Sequence, residues 1–348
     1  KNEQLSDPNW YDRIPYIHKP TTNQIKTTQS GYESFLMVSF VHWYIGSLEH
    51  FFRILLKQIN STSRLTQFYD ICNYILEYFG EGTSSLSATA KATICNMGAE
   101  MGATSSLFPF DSAMNDYLEN THRVNVARLA SRYRDVLKAD EEVFKNPSNF
   151  YDQVFEVDLS SLDPQINGPF FPDKGCGISQ CAKLVKEAGA PERISTAIIG
   201  SCTNSSYEDL NRVALLAQQA YKMGLTLKCP LLIVPGSEQI KKVIEKNGQL
   251  DIFKRLGVRL LANSCGPCAG LWLRGDIKKN ESNTIITTFN RNYRRRNDGN
   301  ENTYAFLGLP ETVFLVALAG KLTFYDEKLL TLKSPTKAPG LPPSGYIR

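Results

Sequence analysis

The fold class is indicated by one stretch, Thr196-Ala-Ile-Ile-Gly-Ser-Cys-Thr-Asn-Ser-Ser-Tyr-Glu-Asp209, which has the pattern of a strand, a polar loop and the start of a helix. Its first five residues are apolar or small, as in strands that are covered on both faces. Glu208 and Asp209 then stand in the first turn of a helix predicted to run to about Met223, where the helix dipole favours negative charge. The stretch therefore predicts one unit of an α/β domain.

The same alternation continues along residues 192–330. We predict strands at residues 231–235, 258–262 and 284–288, a helix at 238–246, and a further helix from near Glu311. Alternating strands and helices of this kind predict a largely parallel sheet covered by helices.

A second α/β region is predicted upstream. Residues 75–78 are predicted to form a short strand, an amphipathic helix spans about 123–139, and 154–159 is typical of an edge strand. Between them, a loop from Ser87 leads into a helix that carries Asn96 and Glu100. These two residues are four positions apart, so one face of that helix presents both.

Three cysteines stand in loops that follow predicted strands. Cys202 belongs to the stretch quoted above, and Cys265 and Cys268 form a Cys-Gly-Pro-Cys pair after residues 258–262. Such a pair alone is equally compatible with a redox couple, half a zinc site or accident, and Cys202 alone would usually be a packing residue. Loops at neighbouring carboxyl ends of parallel strands converge, however, which favours a common site. Thiolates select zinc, copper(I) or iron–sulfur clusters, and three protein ligands leave an open position for chemistry.

An arginine-rich stretch follows the predicted strand at 284–288. This stretch contains Arg291 and Arg296, with Asn290 beside them. The arginines are either part of a solvated basic run or a clamp for carboxylates, because a planar guanidinium pairs bidentately with a carboxylate. The position after a buried strand favours the clamp. We assign Arg294 and Arg295 to solvent.

Composition and charge limit the classes of protein to which the chain can belong. A net charge of +4 and a pI near 8.5 argue against a nucleic-acid or membrane-surface protein and suit an anionic substrate. The only membrane candidate, residues 35–56, is interrupted by charged side chains, so no spanning helix is expected. The other five cysteines are not spaced like a disulfide scaffold, and we interpret them as buried or incidental thiols in a reducing compartment: Cys72, Cys95, Cys176, Cys181 and Cys229.

Four stretches together resemble the signature segments of the aconitase family. They are Gly200-Ser-Cys-Thr-Asn-Ser-Ser-Tyr-Glu-Asp209, Ala262-Asn-Ser-Cys-Gly-Pro-Cys-Ala-Gly270, Phe289-Asn-Arg-Asn-Tyr-Arg-Arg-Arg-Asn-Asp298 and Ala92-Thr-Ile-Cys-Asn-Met-Gly-Ala-Glu-Met-Gly-Ala-Thr104. Their order and separation agree from about Ile75 to the C-terminus. The resemblance implies aconitase-type three-layer α/β/α domains with largely parallel sheets.

The resemblance also divides the chain. Residues 61–160 correspond to the family's second α/β domain, 161–330 to the third domain, which carries the cysteines, and 331–348 to a linker towards a swivel domain that is absent here. Residues 1–60 remain unassigned, as divergent sequence or translated non-coding sequence. One departure is Lys91, which with Ala90 replaces the family's usual Gly-Met pair and puts the local packing in doubt.

The function that the resemblance implies is reversible conversion of citrate to isocitrate through cis-aconitate. A [4Fe-4S] cluster would be held by Cys202, Cys265 and Cys268, with Asn290, Arg291 and Arg296 binding the tricarboxylate and Asn96 and Glu100 acting beside them. A mitochondrial protein, monomeric when complete and without DNA or membrane partners, is implied as well. No histidine falls in a matching motif, and the family's proton-handling groups belong to parts absent here, so we expect this chain to be inactive alone.

Two alternatives remain open at this point. One is a paralogue that dehydrates homocitrate, and the other is a cluster-binding or RNA-binding regulatory module. Ser205 and Ser206 are predicted to cap the helix rather than to join the site.

Overall fold

The structure is a computed structural model that describes residues 34–41, 74–100, 102–159, 164–171, 174–322, 329, 331–335, 340–343 and 345–347. Its strands, in chain order, are β1 (Ser34–Val41), β2 (Tyr74–Phe79), β3 (Ser105–Leu107), β4 (Gln153–Asp158), β5 (Gln165–Asn167), β6 (Gly175–Gly177), β7 (Ile194–Ile199), β8 (Leu231–Ile233), β9 (Arg259–Leu260), β10 (Asn283–Thr287) and β11 (Thr303–Gly308). Its α-helices are α1 (Ala88–Glu100), α2 (Ser112–Asn120), α3 (Val124–Arg132), α4 (Glu141–Lys145), α5 (Cys181–Ala188), α6 (Tyr207–Lys222), α7 (Glu238–Lys246), α8 (Gln249–Arg255) and α9 (Pro310–Ala319).

The smaller sheet has four strands in the order β3-β2-β1-β4, and all of its pairings are parallel. β4 lies at the edge, as its sequence predicted. The central strand β1 comes from the segment that sequence reasoning left unassigned. The division of the chain into domains stays a prediction.

The larger sheet has seven strands in the order β6-β5-β11-β10-β7-β8-β9. The strands from β7 to β11 pair in parallel, whereas β5 and β6 form an antiparallel edge. Every residue of β8 and β10 is buried, because helices cover a sheet of this kind on its faces. The predicted α/β class with largely parallel sheets is confirmed.

Several element predictions need correction. The helix predicted over 123–139 ends at Arg132, and a separate 3-10 turn covers Arg134–Val136. The strand predicted at 258–262 is only Arg259–Leu260, since it is the edge of the sheet and its residues are not fully buried. The strand β11 and the antiparallel edge were not predicted.

Capping residues fix where the site helices begin. Ser206 caps α6 through a reciprocal capping box with Asp209, as predicted. Ser205 was wrongly assigned as a cap, because its hydroxyl donates to the carbonyl of Ser201 inside the preceding loop. Ser237 caps α7 by accepting from the Ile240 amide at 3.1 Å, and α7 has the predicted bounds.

The C-terminal segment lies against the body of the molecule. Tyr346 is buried, with its ring edge-on to Tyr117 on one side and Tyr207 on the other. The Gln239 side chain donates to the Ile347 carbonyl at 2.6 Å. These described residues of the predicted linker are therefore packed against the rest of the molecule.

In the part of the chain that the structure describes, no helix has both the length and the apolar character needed to cross a membrane. Of the candidate segment 35–56, residues 35–41 belong to β1 and the remainder lies outside the described residues.

Candidate active site

The carboxyl ends of β7 and β10 bring the Cys202 loop and the arginine-rich loop together. Thr288, directly after β10, accepts from the Gly200 amide at 2.8 Å and donates to the Gly200 carbonyl at 3.0 Å. The Asn204 side chain donates to the Thr288 carbonyl at 3.2 Å. One buried threonine thus ties the two loops at their bases.

Close backbone approach requires a glycine at position 200. A Cβ atom there would lie 2.6 Å from Cβ and 2.7 Å from the carbonyl oxygen of Val234, just beyond β8. The next residue, Ser201, has a positive φ of 74°, which turns the chain sharply before Cys202. This turn sets the start of the cysteine loop.

The Cys-Gly-Pro-Cys loop is attached to the arginine-rich loop. Gly266–Cys268 forms a 3-10 turn, and the Asn297 side chain donates to the Pro267 carbonyl at 3.0 Å. Gly270 has a φ of 79°, and a Cβ atom there would lie 3.2 Å from the Arg295 carbonyl. Three loops from separate strands are therefore joined at one edge of the larger sheet.

Helix α1 contacts this edge from the side of the smaller sheet. The Thr93 hydroxyl donates to the Thr203 carbonyl at 2.8 Å, and the Asn96 side chain donates to the Thr203 hydroxyl at 3.2 Å. The Cys202 thiol lies 3.8 Å from Asn96 Oδ1, to which it donates. Asn96 is thus next to the first of the three cysteines.

Glu100, one turn further along α1, meets the arginine-rich loop. The Asn290 Nδ2 donates to Glu100 Oε1 at 2.6 Å, and the Arg291 guanidinium forms an ion pair with Glu100 Oε2. The Cys268 thiol donates to Asn290 Oδ1 over 3.5 Å. The buried Asn290 therefore connects Cys268 with Glu100.

Arg296 also contacts Cys268. Its Nη2 is 4.0 Å from the Cys268 sulfur, and its Nε is buried without a hydrogen-bond partner among the described residues. Burial raises the pKa of the Cys268 thiol, Arg296 opposes that shift, and both Cys202 and Cys265 raise the pKa further. The three cysteines therefore interact electrostatically.

A profile of the aconitase family (aconitate hydratase) matches residues 59–320. The chain belongs to the aconitase family. It is 49% identical over 272 residues to a probable mitochondrial aconitate hydratase of Dictyostelium discoideum, and 48% identical over 281 residues to the mitochondrial aconitate hydratase of Emericella nidulans. Each alignment covers 78% of this chain. A mitochondrial homocitrate dehydratase of Saccharomyces cerevisiae is also 49% identical, over 72% of the chain.

This aconitase-family chain spans about a third of the length of those curated relatives, with 34%, 35% and 32% of them covered. Among solved structures, aconitase X of Thermococcus kodakaraensis in its holo form gives an alignment that covers 87% of this chain and 56% of the aconitase X chain. That alignment has 15% identity and a TM-score of 0.35, so its likeness does not bear on the fold.

Cys202, Cys265 and Cys268 supply only thiol donors, the kind that soft metals and iron–sulfur clusters select. Within the described ranges, no three or more His, Cys, Asp or Glu side chains are grouped closely enough to hold one metal ion. The thiols of Cys202 and Cys265 are exposed, whereas that of Cys268 is buried.

The two remaining arginines are not simply solvated. Arg294 and Arg295 are exposed, but the Arg294 guanidinium lies 3.8 Å from the centroid of the Phe170 ring and donates to the Glu301 carbonyl at 3.0 Å. Arg295 forms an ion pair with the Glu301 carboxylate. Both side chains are exposed, as predicted, and each also contacts a neighbouring residue.

Sequence reasoning missed the threonines that hold the site together. Thr203 receives hydrogen bonds from Thr93 and Asn96, and Thr288 joins two loops. Their positions, directly after Cys202 and at the end of a buried strand, were the available signals. The bond from the Thr89 hydroxyl to Glu208 at 3.0 Å, which links α1 to α6, has no local signal.

Proposed function

We propose that this chain is the cluster-bearing part of a mitochondrial aconitate hydratase. One observation carries the proposal: Asn290 contacts the Cys268 thiol through its oxygen and Glu100 through its nitrogen, beside Arg291. A thiol, a carboxylate and an arginine are thus assembled around a single buried amide at the end of a parallel strand, where α/β folds bind ligands.

Proteins of this family generally bind a [4Fe-4S] cluster, and we propose Cys202, Cys265 and Cys268 as its ligands here. When bound, such a cluster supplies a Lewis acid through the one iron that has no protein ligand. The exposed Cys202 and Cys265 and the neighbouring Cys268 form an all-thiol donor set, which is the kind that iron–sulfur clusters select.

Arg291 and Arg296 are proposed to bind the carboxylates of the substrate. The Arg291 side chain is 40% exposed, so an incoming carboxylate can reach it and compete with Glu100. The buried, unpartnered Nε of Arg296 is a donor suited to the same task. Asn290 and Glu100 would orient Arg291, and Asn96 would donate to a hydroxyl or water beside Cys202.

The reaction proposed for the complete protein is reversible isomerisation of citrate to isocitrate through cis-aconitate, a hydro-lyase reaction of the tricarboxylic acid cycle. Dehydration of homocitrate is the second candidate, because a relative with that name is as similar as the aconitate hydratases. Turnover of citrate and of homocitrate by the full-length protein distinguishes them. A ratio of kcat/KM that favours homocitrate would overturn the first assignment.

The proposed ligand set is tested by anaerobic reconstitution with iron and sulfide. We expect about four irons per chain and the broad visible absorption of a cysteine-ligated cluster. Cys202→Ser should lose both, whereas Cys229→Ala, which removes a buried core thiol, should keep them. Equal iron content in the Cys202→Ser variant would contradict the three-cysteine site.

We also propose that the reconstituted chain is inactive alone, because none of its histidines falls in a matching motif and proton transfer requires a positioned base. Hydration of cis-aconitate should not exceed that of a Cys265→Ser control. Turnover well above this control would show that the chain carries its own base.

A further inference from the structure

Arg274 is a buried charge outside the proposed site. It lies on the segment that leads from the Cys-Gly-Pro-Cys loop back to the start of β10, between two exposed neighbours, yet its own side chain is only 2% exposed. Taking a guanidinium out of water is costly unless its donors are satisfied. The partners of Arg274 therefore indicate what it holds together.

The guanidinium is fixed to the starts of two strands of the larger sheet. Its Nη1 donates to Asn283 Oδ1 of β10 at 2.6 Å, and its Nη2 donates to the Ser195 hydroxyl of β7 at 3.0 Å. Nε donates to Asp276 Oδ1 at 3.0 Å, and the bonding from Arg274 lowers the pKa of that carboxyl. Cζ lies 4.7 Å from the centroid of the Trp272 ring. Arg274 is thus held by the sheet and by its own segment.

A second carboxylate beside Arg274 belongs to the arginine-rich loop. Arg274 Nη1 lies 3.5 Å from Asp298 Oδ2, and both side chains are 2% exposed. The Thr303 hydroxyl donates to the same oxygen at 2.8 Å, and the Asn300 amide donates to Asp298 Oδ1 at 3.0 Å. Loss of Arg274 would leave this buried carboxylate without its countercharge, which is strongly destabilising for the position it occupies.

The segments that carry Arg274 and Asp298 are also joined closer to the site. The Trp272 amide donates to the Asn297 carbonyl at 3.4 Å, and the Asn297 side chain donates to the Pro267 carbonyl at 3.0 Å. These bonds run between the same two segments as the ion pair. The pair therefore extends the contacts that hold the arginine-rich loop against the Cys-Gly-Pro-Cys loop.

We infer that Arg274 is a positioning residue for Arg296, an inference that rests on the proposed role of Arg296 in binding substrate carboxylates. Arg296 is two positions before Asp298, and its Nη2 lies 4.0 Å from the Cys268 sulfur. Arg274 acts through Asp298 and not by contact with substrate. Without Arg274, the Asp298 carboxylate would move towards water and displace Arg296 with it. A displacement of about 1 Å is enough to cost a large factor in rate.

A double-variant cycle in the full-length protein tests this dependence. We compare the original protein, Arg274→Gln, Arg296→Gln and the double variant, and measure kcat and KM for citrate and for homocitrate. Arg274→Gln should lower kcat/KM at least about tenfold, mainly through a higher KM, because a carboxylate contact is misplaced. In the Arg296→Gln background the same change should alter kcat/KM by less than about twofold, since the group that Arg274 positions is already gone.

Binding of tricarballylate, a tricarboxylate without a hydroxyl group to eliminate, is measured by calorimetry in the same four proteins. Its Kd should follow the same pattern as KM, because no chemical step contributes to it. Equal factors for Arg274→Gln in both backgrounds, in Kd and in kcat/KM, would overturn the inference and leave the role of Arg296 intact. If Arg296→Gln changes neither quantity, the proposed role of Arg296 is wrong and the inference falls with it.

Two further variants separate positioning from loss of stability. Asp298→Asn keeps the size of the side chain and removes only the charge that pairs with Arg274, so it should raise KM between about twofold and tenfold, and not further in the Arg296→Gln background. Phe253→Leu truncates a fully buried residue of the main core and should act equally in both backgrounds. Urea unfolding measures the stability of every variant. An effect of Phe253→Leu that also vanishes with Arg296→Gln would show that the cycle reports stability, and would overturn the inference.

Discussion

At the scale of single residues, Gly200 controls the approach of the Cys202 loop to the neighbouring strand. In Gly200→Ala the new methyl group would overlap the Cβ and carbonyl oxygen of Val234, and a backbone atom cannot rotate away. Overpacking of this kind costs about 1–3 kcal/mol, so we expect a loss of about 2–3 kcal/mol in the free energy of unfolding. Urea unfolding followed by circular dichroism measures it.

Gly275→Ala is the matched control for this prediction. No heavy atom lies within 4 Å of a Cβ at position 275, and no left-handed φ is required there. We expect a change within about 0.5 kcal/mol, as for surface substitutions in general. Equal unfolding midpoints for the two variants would mean that the loop moves freely away from Val234.

Lys91, the departure from the family pattern, is accommodated by a buried ion pair. Its side chain is 2% exposed and pairs with Asp111, which also caps α2 by accepting from the Met114 amide at 3.0 Å. Asp111→Asn keeps a good capping residue but removes the countercharge. Because an unpaired buried charge is costly, we expect a loss of about 3 kcal/mol in the free energy of unfolding, measured in urea.

The double variant with Lys91→Met and Asp111→Asn provides the control. It removes both charges and keeps the cap, so most of the stability lost in the single variant should return. If the double variant is as unstable as Asp111→Asn alone, the loss comes from the cap and not from the charge of Lys91.

At the scale of elements, helix α6 has a buried carboxylate in its capping box. Burial raises the pKa of Asp209 to about 7, although hydrogen bonds from Ser206 oppose the shift and Glu208 adds to it. Between pH of about 4 and about 7 the folded chain keeps a proton on Asp209 that the unfolded chain has released. Unfolding then releases a proton, so the free energy of unfolding should fall as the pH rises through this window.

Asp209→Asn isolates this effect, because an amide still accepts the hydrogen bonds of the box but does not titrate. At about 1.4 kcal/mol per pKa unit, the free energy of unfolding of the original chain should fall by up to about 4 kcal/mol more than that of Asp209→Asn as the pH rises through this window. Urea unfolding at pH 4, 5.5 and 8 measures it. Asp251→Asn, at an exposed position in α8, should retain the original pH dependence, and a retained dependence in Asp209→Asn would refute the assignment.

Elements with strong local signals could be predicted from the sequence. Helix α7 has its predicted bounds because Ser237 marks its start and apolar residues recur at helical spacing. Strand β11 was not predicted because its residues directly follow a turn-rich stretch. The antiparallel edge was not predicted because its two strands are only three residues long. The hydrogen bonds around Thr203 join segments over 100 positions apart, and no periodicity contains such information.

At the scale of the whole molecule, contacts outside the cysteine and arginine-rich loops also join the part that contains the smaller sheet to the part that contains the larger one. The Thr89 hydroxyl of α1 bonds to Glu208 of α6, near the proposed active site. On another face, the buried Tyr346 lies between Tyr117 of α2 and Tyr207 of α6. The packing of the two parts is therefore supported by Tyr346 as well as by the direct contacts of α1 with the cysteine loop.

Removal of residues 340–348 tests that contribution. The truncation exposes the apolar surface that Tyr346 covers and breaks the bond from Gln239 to the Ile347 carbonyl, so a loss of about 3 kcal/mol is expected by analogy with aromatic deletions. Tyr346→Phe retains the ring and should lose less than about 1 kcal/mol. Because the lost contacts bridge both parts, urea unfolding should also become less cooperative, with a smaller m value in the truncated chain. An unchanged midpoint and slope would show that the C-terminal segment merely lies on the surface and that the contacts of α1 alone hold the two parts together.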